Sequence, residues 1–170
     1  MDFDVVDLGA ADHVEAGDEA PDFTRPLVND EYWADASLAD LTDDGPVLLV
    51  FHPMAGSFPA LYVWKELKSR AWDDEYDVRP VGVSISDPYA SKRLIEDREM
   101  DYELFSDPQN EVAAAYGIVN DLDGMAGVSE PRPAVFLVDA DRRVRYAWVA
   151  EEWPDFPDYD AVGEAVADDC

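Results

Sequence analysis

The sequence predicts an α/β domain, with a central sheet, helices on both of its faces and a C-terminal β-hairpin at one edge. Three observations lead there. Short apolar runs of β-rich composition alternate with segments of helical periodicity. The last two such runs are only four residues apart, at 140–143, which forces an antiparallel hairpin onto a sheet that otherwise reads as mostly parallel. The 170 residues are enough for one sizeable core and not for two ordinary domains.

The elements follow in order. Residues 1–13 read as an acidic leader, or a strand that pairs late, ahead of a single domain over 14–167 and a mobile C-terminus at 168–170. Pro21 to Pro26 and the Asp43-Asp44-Gly45-Pro46 turn bracket a segment with Tyr32 and Trp33, with room for one hairpin or loop. Val47-Leu48-Leu49-Val50-Phe51 is apolar throughout and reads as a buried central strand. Beyond a loop from His52 to Gly56, Ser57 is placed to cap a helix with Pro59 in its first turn. Ala60, Val63, Trp64, Leu67 and Ala71 recur at helical spacing along it. Tyr62, Trp64 and Trp72 are expected to pack this helix on the sheet, with Tyr62 also able to line the loop.

A second strand runs from Val78 to Ile85, then a helix over about 89–99, then a short strand Glu103-Leu104-Phe105. Asn110 to Tyr116 reads as a helix stopped by Gly117. Ala134 to Asp139 and Val144 to Val149 are the hairpin strands, and Tyr159 to Ala167 closes the chain as a helix. The segment Glu151 to Pro157 holds Trp153 and Phe156 in an acidic, proline-rich turn. It suits a stretch packed over the domain edge or an oligomer contact.

Composition narrows the partners. The chain has 40 Asp and Glu against 12 Lys and Arg, a formal net charge of −28. Such a balance excludes binding of nucleic acid through a basic patch, and attraction to an anionic membrane surface. Hydrophobic residues make up 48% of the chain, so the acid does not signal disorder. It is spread along the whole sequence, where its self-repulsion would be screened in molar salt by a Debye length of about 3 Å. This is the pattern expected of an intracellular protein of an extreme halophile, the alternative being an acidic surface for a basic partner. No segment reaches the ~18 apolar residues of a membrane span, and the Met-Asp-Phe-Asp start lacks a positive n-region, so the cytoplasm is the expected location. His13 and His52 have no ligand cluster near them, and neither a metal site nor a cofactor is expected.

At the level of motifs the sequence resembles the peroxiredoxins, the alkyl hydroperoxide reductase/thiol-specific antioxidant group of the thioredoxin superfamily. The resemblance spans about residues 14–166 and rests on an ordered set of short matches. They are Gly17-Asp18-Glu19-Ala20-Pro21-Asp22-Phe23, Leu48 to Pro53, Gly82-Val83-Ser84 with Asp87-Pro88, Phe105-Ser106-Asp107-Pro108, Tyr116-Gly117-Ile118, and Pro131-Arg132-Pro133 ahead of Val135 to Asp139. It implies a thioredoxin-like, three-layer fold with a mixed central sheet, thiol-dependent peroxide reduction without a bound cofactor, and a homodimer. The family's active site follows a Pro-x-x-x-Thr/Ser-x-x-Cys pattern with an arginine from near a later strand. On this sequence Pro53 matches the proline, Ser57 the hydroxyl residue and Arg132 the arginine. The peroxidatic cysteine falls on residue 60, which is Ala60.

That departure governs the chemistry. A thiolate must attack a peroxide oxygen and become a sulfenic acid as the O–O bond breaks, and alanine offers no such group. Ser57 is no substitute, because a hydroxyl is not oxidised by peroxide and the nearest histidine, His52, lies across a proline loop. The lone cysteine, Cys170, follows Asp168 and Asp169, whose charges should raise its pKa and lower its reactivity. Each matched residue also has a purely structural use: Pro53 to end a strand, Ser57 to cap a helix, Arg132 to pair with Glu130 or Asp139. Three functions therefore compete. One is a redox-inactive family member with a binding or structural role. Another is a genuine peroxidase, altered at residue 60 or using Cys170 in trans. The third is a small-anion binder at the helix N-terminus near Arg132, a retained pocket taking peroxide or a small anion.

Overall fold

The computed structural model describes residues 5–120 and 125–170. The leader contains a two-residue strand, β1 (Val6–Asp7). The bracketed segment forms a hairpin, β2 (Thr24–Val28) and β3 (Trp33–Ser37), followed by the short helix α1 (Leu38–Thr42). Ser37 starts α1 because its hydroxyl accepts from the Asp40 amide while the Asp40 carboxylate accepts from the Ser37 amide, a reciprocal cap. The alternating section comprises β4 (Val47–Phe51), α2 (Phe58–Arg70), α3 (Trp72–Glu75), β5 (Arg79–Ser84), α4 (Pro88–Asp97), β6 (Glu103–Ser106) and α5 (Glu111–Tyr116). The chain ends with β7 (Val119–Asn120), β8 (Glu130–Pro131), β9 (Ala134–Val138), β10 (Val144–Val149), β11 (Glu152–Trp153) and α6 (Tyr159–Asp169).

Seven strands form one sheet in the order β10-β9-β4-β5-β6-β2-β3. β5 runs parallel to both β4 and β6. The other four pairings are antiparallel, so the sheet is mixed and not mostly parallel. The reason is visible at both edges. The N-terminal hairpin adds beside β6, and β9 enters beside β4 in the opposite sense.

Alternation along β4 builds the layers. Val47, Leu49 and Phe51 face a cluster with Leu38, Leu41, Val112 and Tyr116 from α1 and α5. Leu48 and Val50 face a second cluster with Val63, Trp64, Leu67, Leu94, Ile95, Val162 and Val166 from α2, α4 and α6. An apolar strand with both faces covered is the physical meaning of the 47–51 run. Trp64 packs so closely on β5 that a Cβ at Gly82 would lie 2.6 Å from its Cζ2 and 2.4 Å from Leu104 Cδ2.

Both ends of the described chain are engaged. β1 pairs with β11, and the Leu8 amide donates to the Glu151 carbonyl at 2.9 Å. Residues 168 and 169, set apart above as part of a mobile end, belong to the last turn of α6, and Cys170 packs half-buried against the α2 and α6 cluster. No helix among the described residues is long and apolar enough to cross a membrane.

Candidate functional site

The loop from His52 to Gly56 lies at the C-terminal end of β4 and feeds α2. Because β4 and β5 are parallel and in register from Val47–Arg79 to Phe51–Val83, residues just after β5 reach this loop. The Ser86 hydroxyl accepts from the Ala55 amide at 2.7 Å, and the Glu130 carboxylate accepts from the Met54 amide at 3.1 Å. The Ser86 carbonyl in turn accepts from the Ser106 hydroxyl at 2.7 Å. Ser86 and Glu130 fasten the loop, and sequence reasoning did not single them out for it. Ser86 left one usable signal, a hydroxyl immediately after a strand that neighbours the loop's own strand.

His52 is buried, and its Nδ1 lies 2.6 Å from the Pro53 carbonyl oxygen. A carbonyl only accepts, so Nδ1 carries the proton and Nε2 is a bare acceptor when the ring is neutral. Nε2 is buried without a partner. The ring stands edge-to-face on Trp64, with centroids 5.8 Å apart. Burial lowers its pKa to about 4, the bond to Pro53 opposing the shift. It makes no hydrogen bond to Ser57, and no serine–histidine dyad exists here.

Ser57 has the extended backbone of an N-cap residue but no side-chain capping bond. The expectation that its hydroxyl caps the helix is therefore corrected: Oγ is buried and unpartnered. Pro59 occupies the first turn as expected. Ala60, the third residue of α2, is wholly buried. Of the aromatics, Trp64 and Trp72 are buried as expected, but Tyr62 points outward and is 59% exposed. Its ring and that of Phe58 each lie 5.9 Å from Phe156, so these aromatics cluster outside α2. Asp155, Phe156 and Pro157 thereby close over Pro53 and Pro59, leaving between them a cavity of only about 10 Å³, room for about one water. Ser57, Ala60 and Arg132 do not line it.

Arg132 is buried, and its guanidinium donates to three main-chain carbonyls: Leu8 and Gly9, both at 2.8 Å, and Ala150 at 3.2 Å. It makes neither of the carboxylate pairs considered above. Asp139 binds Arg145 at 2.7 Å, because it directly follows β9 and Arg145 lies on β10, the strand antiparallel to it. None of the acceptors of Arg132 belongs to α2 or its preceding loop. Its Nε remains buried without a partner.

The thiol is elsewhere. Burial raises the Cys170 pKa to about 11, with Asp169 and Asp77 contributing after it. The direction matches the sequence expectation, but burial and not like charge leads. Asp77 precedes β5, so Cys170 sits by the N-terminal ends of β4 and β5 and the 52–56 loop by their C-terminal ends. Among the described residues no group of three or more His, Cys, Asp or Glu could hold a metal ion.

A mixed sheet between two helical layers, with a proline-containing loop leading from a central strand into a helix, defines a protein of thioredoxin-like fold. Residues 16–147 match the AhpC/TSA family, and the chain belongs to that family. A Mycobacterium tuberculosis protein named as a peroxiredoxin is 31% identical over 135 residues, spanning 77% of this chain and 82% of the relative. The chloroplastic 2-cysteine peroxiredoxin of Chattonella marina var. antiqua is 26% identical over 144 residues, covering 80% of this chain and 71% of that protein. Among solved structures, the peroxidoxin BcpB of Mycobacterium tuberculosis superposes with a TM-score of 0.74 at 28% identity, over 91% of this chain and 96% of that one. The reduced 2-Cys peroxiredoxin of Plasmodium vivax gives a TM-score of 0.76 at 19% identity over 91% of this chain and 81% of that one, a likeness of fold.

Proposed function

We propose that this chain is a redox-inactive member of its family with a binding or structural role, working in the cytoplasm of an extreme halophile. A homodimer is the assembly the resemblance favours. The observation that carries the proposal is Ala60, a buried methyl group in the first turn of α2 where the motif spacing asks for a thiolate. A methyl group has no lone pair to attack peroxide and cannot become a sulfenic acid.

The surroundings support the same conclusion. With its pKa near 11, Cys170 is thiolate in only about one molecule in 10⁴ at pH 7. Phe156 and Pro157 cover Pro53, the motif proline, together with Pro59, and carbonyls from Leu8, Gly9 and Ala150 occupy Arg132. The peroxiredoxin names of the relatives would suggest peroxide reduction, and the residues of this chain oppose it.

The test is peroxide consumption with dithiothreitol in molar KCl, native chain beside Cys170→Ser. The expected rate is no greater than that of an ordinary free thiol, and the same in both. Fast turnover that disappears in Cys170→Ser would establish a peroxidase instead.

A further inference from the structure

In a chain with three lysines, at 65, 68 and 92, all three lie on α2 and α4. Arg70, Arg93 and Arg98 are on the same two helices or the C-cap of α4. Two cavities open between these helices. One, of about 480 Å³, has Leu61, Trp64 and Met100 as apolar lining, with Lys65, Lys68 and Arg98 around it. The other, of about 520 Å³, shares Leu61 and Arg98 and continues past Arg93 to Ala55 and Gly56 of the fastened loop. The two adjoin at Leu61 and Arg98 along an α2–α4 groove, and each is of the size that accepts small organic molecules.

The charges of the groove are not compensated from within. Lys92 is paired with Glu96, and Arg70 with Glu66 and Asp160. Lys68 donates to the carbonyls of Arg98 and Glu99. Lys65, Arg93 and Arg98 make no ion pair and no side-chain hydrogen bond with any described residue. Asp97 lines the second cavity without pairing to either arginine. In a molecule with 40 carboxylates and a net charge of −28, three unpaired cations around an apolar floor are a local reversal of the surface.

We propose that the α2–α4 groove binds an organic anion. Its carboxylate, sulfonate or phosphate would be held by Arg98 with Lys65 or Arg93, and its apolar body would lie on Leu61, Trp64 and Met100. Arginine supplies a planar fork suited to such groups, and the lysines supply point charge. The inference deepens the binding role proposed above and takes its biological meaning from it. Its test does not involve peroxide, so either can fail alone.

The probe is 8-anilinonaphthalene-1-sulfonate, titrated by fluorescence at the lowest KCl concentration at which circular dichroism remains native, because salt screens the attraction. Neutral N-phenyl-1-naphthylamine is the comparison dye. Saturable binding of one sulfonate dye per chain is expected. The pair Lys65→Glu and Arg98→Glu should weaken it at least about tenfold, while the neutral dye changes less than about twofold. Lys65→Gln with Arg98→Gln, which adds no new charge, should give a smaller loss in the same direction. Dodecanoate should displace the dye and acetate at equal concentration should not; displacement by phenyl phosphate instead would assign the phosphate chemistry to the same groove. No saturable binding, or binding unchanged by both pairs of substitutions, would overturn the proposal.

Discussion

His52 illustrates how one residue at the mouth of the loop is used for packing in place of chemistry. Its ring is sealed against Trp64, Nδ1–H is held by the Pro53 carbonyl, and burial lowers the pKa from 6.5 to about 4. The unfolded chain takes up this proton below about pH 6.5, whereas the folded chain does so only near pH 4. The contribution is therefore complete above pH 6.5 and is lost as pH falls through that interval, amounting to about 3 kcal/mol. Urea unfolding of the native chain and His52→Gln between pH 7 and pH 4.5 should show a steeper acid loss for the native protein; parallel profiles would contradict the burial account. The importance of residue 60 was legible because it depends only on spacing along the chain from Pro53 and Ser57. The idle hydroxyl of Ser57 was not, since backbone conformation and side-chain rotamer decide capping independently.

At the scale of elements, residues 6–9 and β11 form a strap. β1 contributes two pairings with β11, and Arg132 draws Leu8, Gly9 and Ala150 onto one guanidinium. Arg132→Met would keep much of the volume and remove the three hydrogen bonds, leaving the buried Ala150 carbonyl without this donor and freeing the half-buried Leu8 and exposed Gly9 carbonyls. A loss of about 2–4 kcal/mol in unfolding free energy is expected, with faster hydrogen exchange at the Leu8 amide than elsewhere in the sheet. Unchanged stability and unchanged exchange would show that the strap is held by other contacts. Strands β4 and β9 and the helix α2 were legible from apolar runs and helical spacing. The strap was not, because a two-residue strand carries no period and its partner lies about 145 residues away. The same limit hid the antiparallel sense of β9 against β4: the pattern of buried residues is alike in either direction.

For the whole molecule, 40 acids on a 170-residue chain set the solvent in which the fold is expected to be stable. Thermal unfolding should rise markedly between dilute and molar KCl, and a flat response would remove the halophile assignment. The family and the thioredoxin-like fold were legible from motif order, whereas the closure of Phe156 over Pro53 and Pro59 was not, since it depends on a contact between residues far apart in sequence. On the function proposed above, this family fold has been kept without its redox chemistry. That loss is tested most directly by treating the folded chain in molar KCl with a brief, equimolar pulse of hydrogen peroxide and mapping the mass of the peptide carrying Cys170. No oxygen added to the cysteine and no disulfide-linked pair beyond an untreated sample are expected. Rapid, stoichiometric addition of one oxygen at Cys170, or its conversion to an intermolecular disulfide within the pulse, would contradict the proposed function.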